Sequence, residues 1–252
     1  MIEFKDISFS YGKRLVLDGI DLSLSNGQLV ALIGENGSGK TTLLRLAVGE
    51  LKSDCGSILV DSLPIDSYKR STLSQKLSYF PQGRPTPEAF VLDTVALGRF
   101  PYSRSSIVTP KADLAAAMDA LENLGISNLA SRQMSDLSFG ERQKVYLAMQ
   151  MLQNTQNCLL DEPANFLDTS ARFDMMRRLS KMRDEGRLIL CVIHDISLAM
   201  SFADRIVVLK DGKIVANASP EEIYSSRVIE NVFNVHVEKL THCSGRFYAV
   251  TP

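Results

Sequence analysis

Gly34-Glu35-Asn36-Gly37-Ser38-Gly39-Lys40-Thr41-Thr42 decides how this chain is read. An apolar run, Leu29-Val30-Ala31-Leu32-Ile33, precedes it, and a helix-like segment, Leu43-Leu44-Arg45-Leu46-Ala47-Val48, follows. Strand, glycine-rich turn and helix form the setting in which a Gly, four residues, Gly-Lys-Ser/Thr pattern cradles phosphate. The glycines let successive backbone N–H groups curl toward anionic oxygens, and the helix N-terminus adds positive partial charge. Lys40 supplies a point charge for the β- and γ-phosphates, and the Thr41 hydroxyl a ligand for Mg²⁺. The stretch predicts a nucleoside triphosphate site; the rest of the chain must say what the site is for.

Working outward, 252 residues that are 45% apolar and 23% charged suit a soluble globular chain of one or two domains. A net charge of −1 lacks the basic footprint of a general nucleic-acid binder, so no nucleic-acid partner is expected. Cys55, Cys158, Cys191 and Cys243 form no Cys-x-x-Cys pair, which argues against a zinc site or disulfide framework and fits a reducing cytosol. Cys158 and Cys191 lie in apolar runs and are expected as buried thiols. The sequence has no signal-like N-terminus and no apolar run near the ~18–20 residues that span a bilayer. Work at a membrane would therefore require another chain.

Upstream of the loop, Ile2 to Phe9 alternates apolar and polar residues with a break at Asp6 and reads as an edge strand. Tyr11 sits in the next turn, either as a surface tyrosine or as an aromatic able to stack on a base. Downstream, Ser57 to Pro64 suggests a hairpin, and the strand Leu77–Phe80 ends in Pro81-Gln82. Gln82 is placed either to reach a ligand at the strand end or to lie in an exposed loop.

From about Phe90 to Gln153 helical periodicity replaces strand patterns. Thr109-Pro110 caps and starts a helix carrying Leu114, Met118, Leu121 and Leu124, which Gly125 ends. Leu137-Ser138-Phe139-Gly140-Glu141-Arg142-Gln143 leads into a second long helix; Ser138 is there as an N-cap or as an anion contact. The strand Cys158-Leu159-Leu160 then runs into Asp161-Glu162. Asp161 is the expected metal-side partner of Thr41, and Glu162 could polarise an attacking water. After a helix from Thr169 to Glu185, the strand Leu188–Ile193 ends in His194, whereas His236 and His242 read as structural. Asp211-Gly212 is a type I′ hairpin turn, Ser219-Pro220-Glu221-Glu222 a capping box, and the final residues a small β appendage.

At Leu137 to Gln143 the pattern resembles the ATP-binding subunit of an ABC transporter, and the resemblance runs from about residue 2 to residue 217. It implies an α/β fold of the P-loop NTPase (RecA-like) type, with a mixed sheet core, an N-terminal antiparallel β subdomain and an inserted α-helical subdomain. Residues 1–88 and 154–217 would form the nucleotide-binding core, 89–153 the helical part, and 218–252 a C-terminal appendage. It also assigns roles. The loop Gly34 to Thr42 (Gly34, Glu35, Asn36, Gly37, Ser38, Gly39, Lys40, Thr41, Thr42) binds ATP, with Tyr11 stacking on adenine. Gln82 is the Q-loop residue, Ser138, Gly140 and Glu141 belong to the signature loop, and Ala164-Asn165-Phe166-Leu167-Asp168 is the D-loop. Glu162, His194, Lys40 and Gln82 would be catalytic, and Thr41, Gln82 and Asp161 would hold Mg²⁺.

The same resemblance implies partners. Two copies would sandwich two Mg·ATP, the signature serine of each meeting the γ-phosphate held by the other. Phe80 to Glu88 and Val95 to Tyr102 are similar to importer ATPases for iron-siderophore, haem and cobalamin uptake, implying membrane permease subunits, a substrate-binding protein and a seat on the cytoplasmic face of the inner membrane. Phe100, Pro101 and Tyr102 would be docking contacts or a buried helix-end cluster. The competing class is a soluble non-transport member such as an iron–sulfur cluster assembly ATPase. Two departures stand out: Phe139 and Glu141 replace the usual glycine and glutamine, and a Phe139 side chain is tolerated only at negative φ. Asn157 interrupts the apolar strand before Asp161 and reads as an edge effect.

Overall fold

The first two strands, β1 (Ile2–Tyr11) and β2 (Arg14–Leu24), pair antiparallel. Ile2 and Phe4 enter the core, and so do Ile7 and Phe9, an even-to-odd change that period-two geometry forbids. Asp6 resolves it: at φ 51° it forms a bulge where the ladder shifts register. The bulge needs Gly56 opposite, since a Cβ there would stand 2.3 Å from the Asp6 carbonyl oxygen. The computed structural model describes residues 1–103, 109–165, 167–242 and 245–251.

β3 (Leu29–Gly34), the glycine loop and α1 (Lys40–Ala47) come next, then the short hairpin of β4 (Cys55–Val60) and β5 (Leu63–Pro64). β4 returns to pair with β1, giving a sheet ordered β2-β1-β4-β5. β1 is therefore an interior strand and not the edge strand its sequence suggests; the strand that covers it lies beyond the phosphate loop. α2 (Arg70–Lys76) leads into β6 (Leu77–Phe80).

Three α-helices follow among the described residues: α3 (Val91–Ala96), α4 (Lys111–Asn123) and α5 (Phe139–Gln153). Pro110 is itself the capping residue of α4 and no side chain caps that end, so Thr109 does not act as the expected cap. Gly125 closes it at φ 68°. Phe100 and Tyr102 divide the two readings of their cluster. Phe100 is 74% exposed, while the Tyr102 hydroxyl donates to the Gln153 carbonyl at 2.7 Å.

The chain then alternates β7 (Asn157–Asp161), α6 (Thr169–Asp184), β8 (Leu188–Val192), α7 (Ile196–Phe202), β9 (Arg205–Lys210) and β10 (Lys213–Ala218). α8 (Pro220–Ser226) carries the expected Ser219–Glu222 capping box with proline at its first turn, and α9 (Val228–Phe233) and the hairpin of β11 (His236–His242) and β12 (Gly245–Thr251) end the chain.

The larger sheet has the order β10-β9-β3-β8-β7-β6. The strands from β9 to β6 are parallel, and β10 closes one edge antiparallel. Leu29, Ala31 and Ile33 face a cluster that includes α3, α4 and α5, whereas Val30 and Leu32 face β1, β2 and α1. Both faces of β3 are covered, which is why its sequence is continuously apolar. The parallel arrangement brings the carboxyl ends of β3, β6, β7 and β8 to one edge, the usual ligand side of such a sheet.

One local reading changes. Asn157 is fully buried and its side chain does specific work: its amide donates to the Lys76 carbonyl at 3.0 Å and its oxygen accepts from the Met1 ammonium at 3.1 Å. His236 is exposed at 77%, with Nδ1 3.9 Å from the Glu230 carboxylate. Cys158 and Cys191 are buried free thiols and Cys55 is exposed.

Candidate nucleotide site

The phosphate loop has the shape its glycines permit. Gly37 and Gly39 stand at φ 81° and 106°, and Gly39 is the capping residue of α1. Gly34 is required for a different reason: a Cβ there would meet the Leu209 carbonyl oxygen at 2.2 Å and Ser38 Oγ at 2.6 Å. Lys40 Nζ donates to the Gly34 and Glu35 carbonyls, both at 2.8 Å. Burial lowers its pKa from the ordinary lysine value, and the charges of Glu162 and Asp161 oppose that shift.

Three other strand ends close on the loop. Gln82, beyond β6, donates through Nε2 to Glu162 Oε2 at 2.6 Å. His194, beyond β8, hydrogen-bonds Glu162 Oε1 through Nε2, and Asn165 donates to Glu162 Oε2. Glu162 thus holds three polar neighbours from three segments, and it does so at φ 54°, in the left-handed region that costs a non-glycine residue of order 1 kcal/mol or more. Strain held at a convergence of polar side chains is the pattern of a working site.

Asp161, at the end of β7, is fully buried, and neither carboxylate oxygen has a hydrogen-bond partner among the described residues. Burial pushes its carboxyl above the ordinary range; the Thr41 hydroxyl beside it offsets this without completing a hydrogen bond, and Glu162 adds to it. Ser38 Oγ is likewise buried and unpartnered. Buried polar groups normally find partners, so orphaned oxygens beside a phosphate loop fit a site completed by a cation and an anion.

A cavity of about 710 Å³ lies above the loop. Tyr11, Gly37, Lys40, Gln82, Glu162 and His194 are in its wall. The Tyr11 ring is held edge-on to Phe9 at 4.9 Å between centroids, and its hydroxyl accepts from Arg45 at 3.3 Å. Asn36, Gly39, Thr41 and Thr42 line the cavity as well, while Gly34, Glu35 and Asn36 border a neighbouring hollow with His194.

Ser138, Gly140, Glu141 and Asp168 do not reach this wall. Ser138 caps α5: its backbone N–H and hydroxyl both donate to the Glu141 carboxylate, at 2.8 and 2.7 Å, which holds that carboxyl below its usual range. Phe139 is the first helical residue, with φ outside the positive region, so its side chain does not distort the loop. Asp168 caps α6 by accepting from Ala171 N at 2.8 Å. Phe166, named within the D-loop, lies outside the described residues. Sequence reasoning missed the direct contact of Asn165 with Glu162 and the place of Arg14 in the cavity wall; the two-residue turn after Tyr11 was the available signal for the latter.

A glycine loop on a parallel sheet, an orphaned aspartate and a polar cluster around a glutamate define a phosphate-loop nucleoside triphosphatase. The ABC transporter family matches residues 17–165, and the chain belongs to it. It is an ABC ATPase. Similar curated proteins include the petrobactin import ATP-binding protein FpuD of Bacillus anthracis, 34% identical over 94% of this chain and 88% of that one. The hemin import ATP-binding protein HmuV of Thermobifida fusca is 33% identical over 94% and 84%. Among solved structures, a metal-chelate type ABC transporter in an inward-facing conformation shares the fold at a TM-score of 0.85, with 23% identity over 100% of this chain and 96% of that one. A dimeric ATP-binding cassette bound to ADP and Pi superposes at 0.79, with 25% identity over 87% and 99%.

Proposed function

We propose that this chain is the ATP-hydrolysing subunit of an importer for iron-siderophore, haem or cobalamin type substrates. Two copies close around two ATP molecules and drive separate membrane permease subunits, which a substrate-binding protein supplies. The chain sits peripherally on the cytoplasmic face of the inner membrane; among the described residues no helix is long and apolar enough to cross one. The similarity to petrobactin and hemin import proteins supports the substrate class. The observation that carries the activity is the convergence of Gln82, Asn165 and His194 on Glu162 beside the phosphate loop.

In this reading, Tyr11 stacks on adenine and the amides from Glu35 to Thr42 hold the phosphates. Lys40 turns from the Gly34 and Glu35 carbonyls to the β- and γ-oxygens and stabilises charge that develops there. Glu162 orients water and accepts its proton as the new oxygen–phosphorus bond forms and the bond to the ADP oxygen breaks. His194 keeps Glu162 oriented and faces the γ-phosphate, and Gln82 relays the state of the site to the permease. The oxygens of Thr41, Asp161 and Gln82 fit Mg²⁺, which when bound supplies positive charge to the phosphates. Ser138, Gly140, Glu141 and Asp168 lie on the surface that meets the nucleotide of the second copy. That role explains why they do not reach the cavity of their own chain.

The test is Glu162→Gln, assayed with the permease present. ATP binding is expected to persist, turnover to fall by at least about a hundredfold, and an ATP-dependent dimer to accumulate on size exclusion. Unchanged turnover would remove Glu162 from this role.

A further inference from the structure

Tyr11 and Arg14 are directly paired residues of the first hairpin, with only Gly12 and Lys13 between them. Residues opposed across an antiparallel ribbon project from the same face. Both line the cavity above the phosphate loop. Their states differ. The tyrosine is held in place by Phe9 and Arg45. Arg14 makes no hydrogen bond or ion pair among the described residues. Its Nη2 lies 3.9 Å from the point where a Cβ on Gly37 would stand, so the guanidinium rests over the loop itself.

The other permanent cation in the cavity wall, Lys40, is engaged by the Gly34 and Glu35 carbonyls. Arg14 has all of its donors available in a planar fork that matches two phosphate oxygens at once. An exposed arginine is commonly just solvated. This one stands in a concave wall, beside a phosphate-loop glycine and across the ribbon from an aromatic platform.

We infer that Arg14 is a specificity residue for the nucleotide: from the hairpin side it grips the phosphate chain, while Tyr11 reads the base. The inference rests on the cavity being the ATP site. It divides recognition between two neighbours on one rigid turn, so that the hairpin and the loop close on the nucleotide together. Affinity gained through Arg14 should therefore rise with the number of phosphates, and affinity gained through Tyr11 should not.

Displacement of a fluorescent ATP analogue by ATP, ADP and AMP, measured with wild type, Arg14→Ala, Arg14→Lys and Tyr11→Ala, tests this. Arg14→Ala should weaken ATP by about tenfold and AMP by less than about twofold, with Arg14→Lys recovering part of the loss. Tyr11→Ala should weaken all three nucleotides by a similar factor. Thermal unfolding of the ligand-free Arg14→Ala protein should match wild type, since the side chain holds nothing in the fold. The inference is overturned if Arg14→Ala binds ATP as wild type does, loses AMP as strongly as ATP, or melts earlier. Failure of wild type to bind any nucleotide would instead overturn the assignment of the cavity.

Discussion

The Gln82 side-chain amide donates to the Glu162 carboxylate across 2.6 Å, joining the ends of β6 and β7. The segment beyond Gln82 leads directly into the helical block, so this bond ties that block to the residue assigned to water. Gln82→Ala should lower kcat by roughly ten- to a hundredfold while ATP affinity stays within about threefold. Steady-state kinetics beside equilibrium nucleotide binding separate the two; a loss in affinity alone would make Gln82 a binding residue.

Asp161 gives a pH dependence of definite sign. Burial raises its carboxyl in the folded chain above the unfolded value, so ionisation opposes folding. The contribution of Asp161 to the stability of the ligand-free protein should fall as pH rises from about 4 through the raised value, and remain at that lower level above it. Asp161→Asn should unfold later than wild type at pH 7, by about 1 kcal/mol, and the gain should vanish near pH 4. The same variant should lose Mg²⁺-dependent nucleotide binding. Parallel melting curves for the two proteins across that range would contradict the burial argument.

Gly34 and Gly37 occupy one loop for different reasons. A methyl on Gly34 strikes a backbone carbonyl, whereas one on Gly37 meets nothing closer than 3.9 Å and faces only the cost of φ 81°. Gly34→Ala should therefore cost more than about 2 kcal/mol, and Gly37→Ala nearer 1 kcal/mol. Denaturant midpoints with unchanged slopes would measure both, and a reversed order would refute the packing role of Gly34.

Much of this was readable from local pattern. The strand–loop–helix around Gly34, the parity break at Asp6, the Ser219 capping box and the residues that terminate strands each carry their signal in adjacent positions. The misreadings of β1 and Asn157 share one cause, dependence on a distant partner. β1 looked like an edge because β4 is invisible from its own sequence. Asn157 looked like an interruption because its partners are the Met1 ammonium and the Lys76 carbonyl. Glu162 was legible as a catalytic candidate, but its left-handed backbone was not, since only the tertiary contacts hold it there. Thr109 failed as a cap because Pro110 occupies the capping position itself.

The neighbours of β3 in the sheet are β8 and β9, whose residues run from Leu188 to Lys210. The strand that carries the phosphate loop thus leaves the ribosome long before either of the strands that it pairs with. Such pairings are slow to form, and an apolar strand without them is open to association with other chains. Nascent chains arrested before β8 should therefore depend on a chaperone, and nucleotide binding should begin only after β9 has emerged.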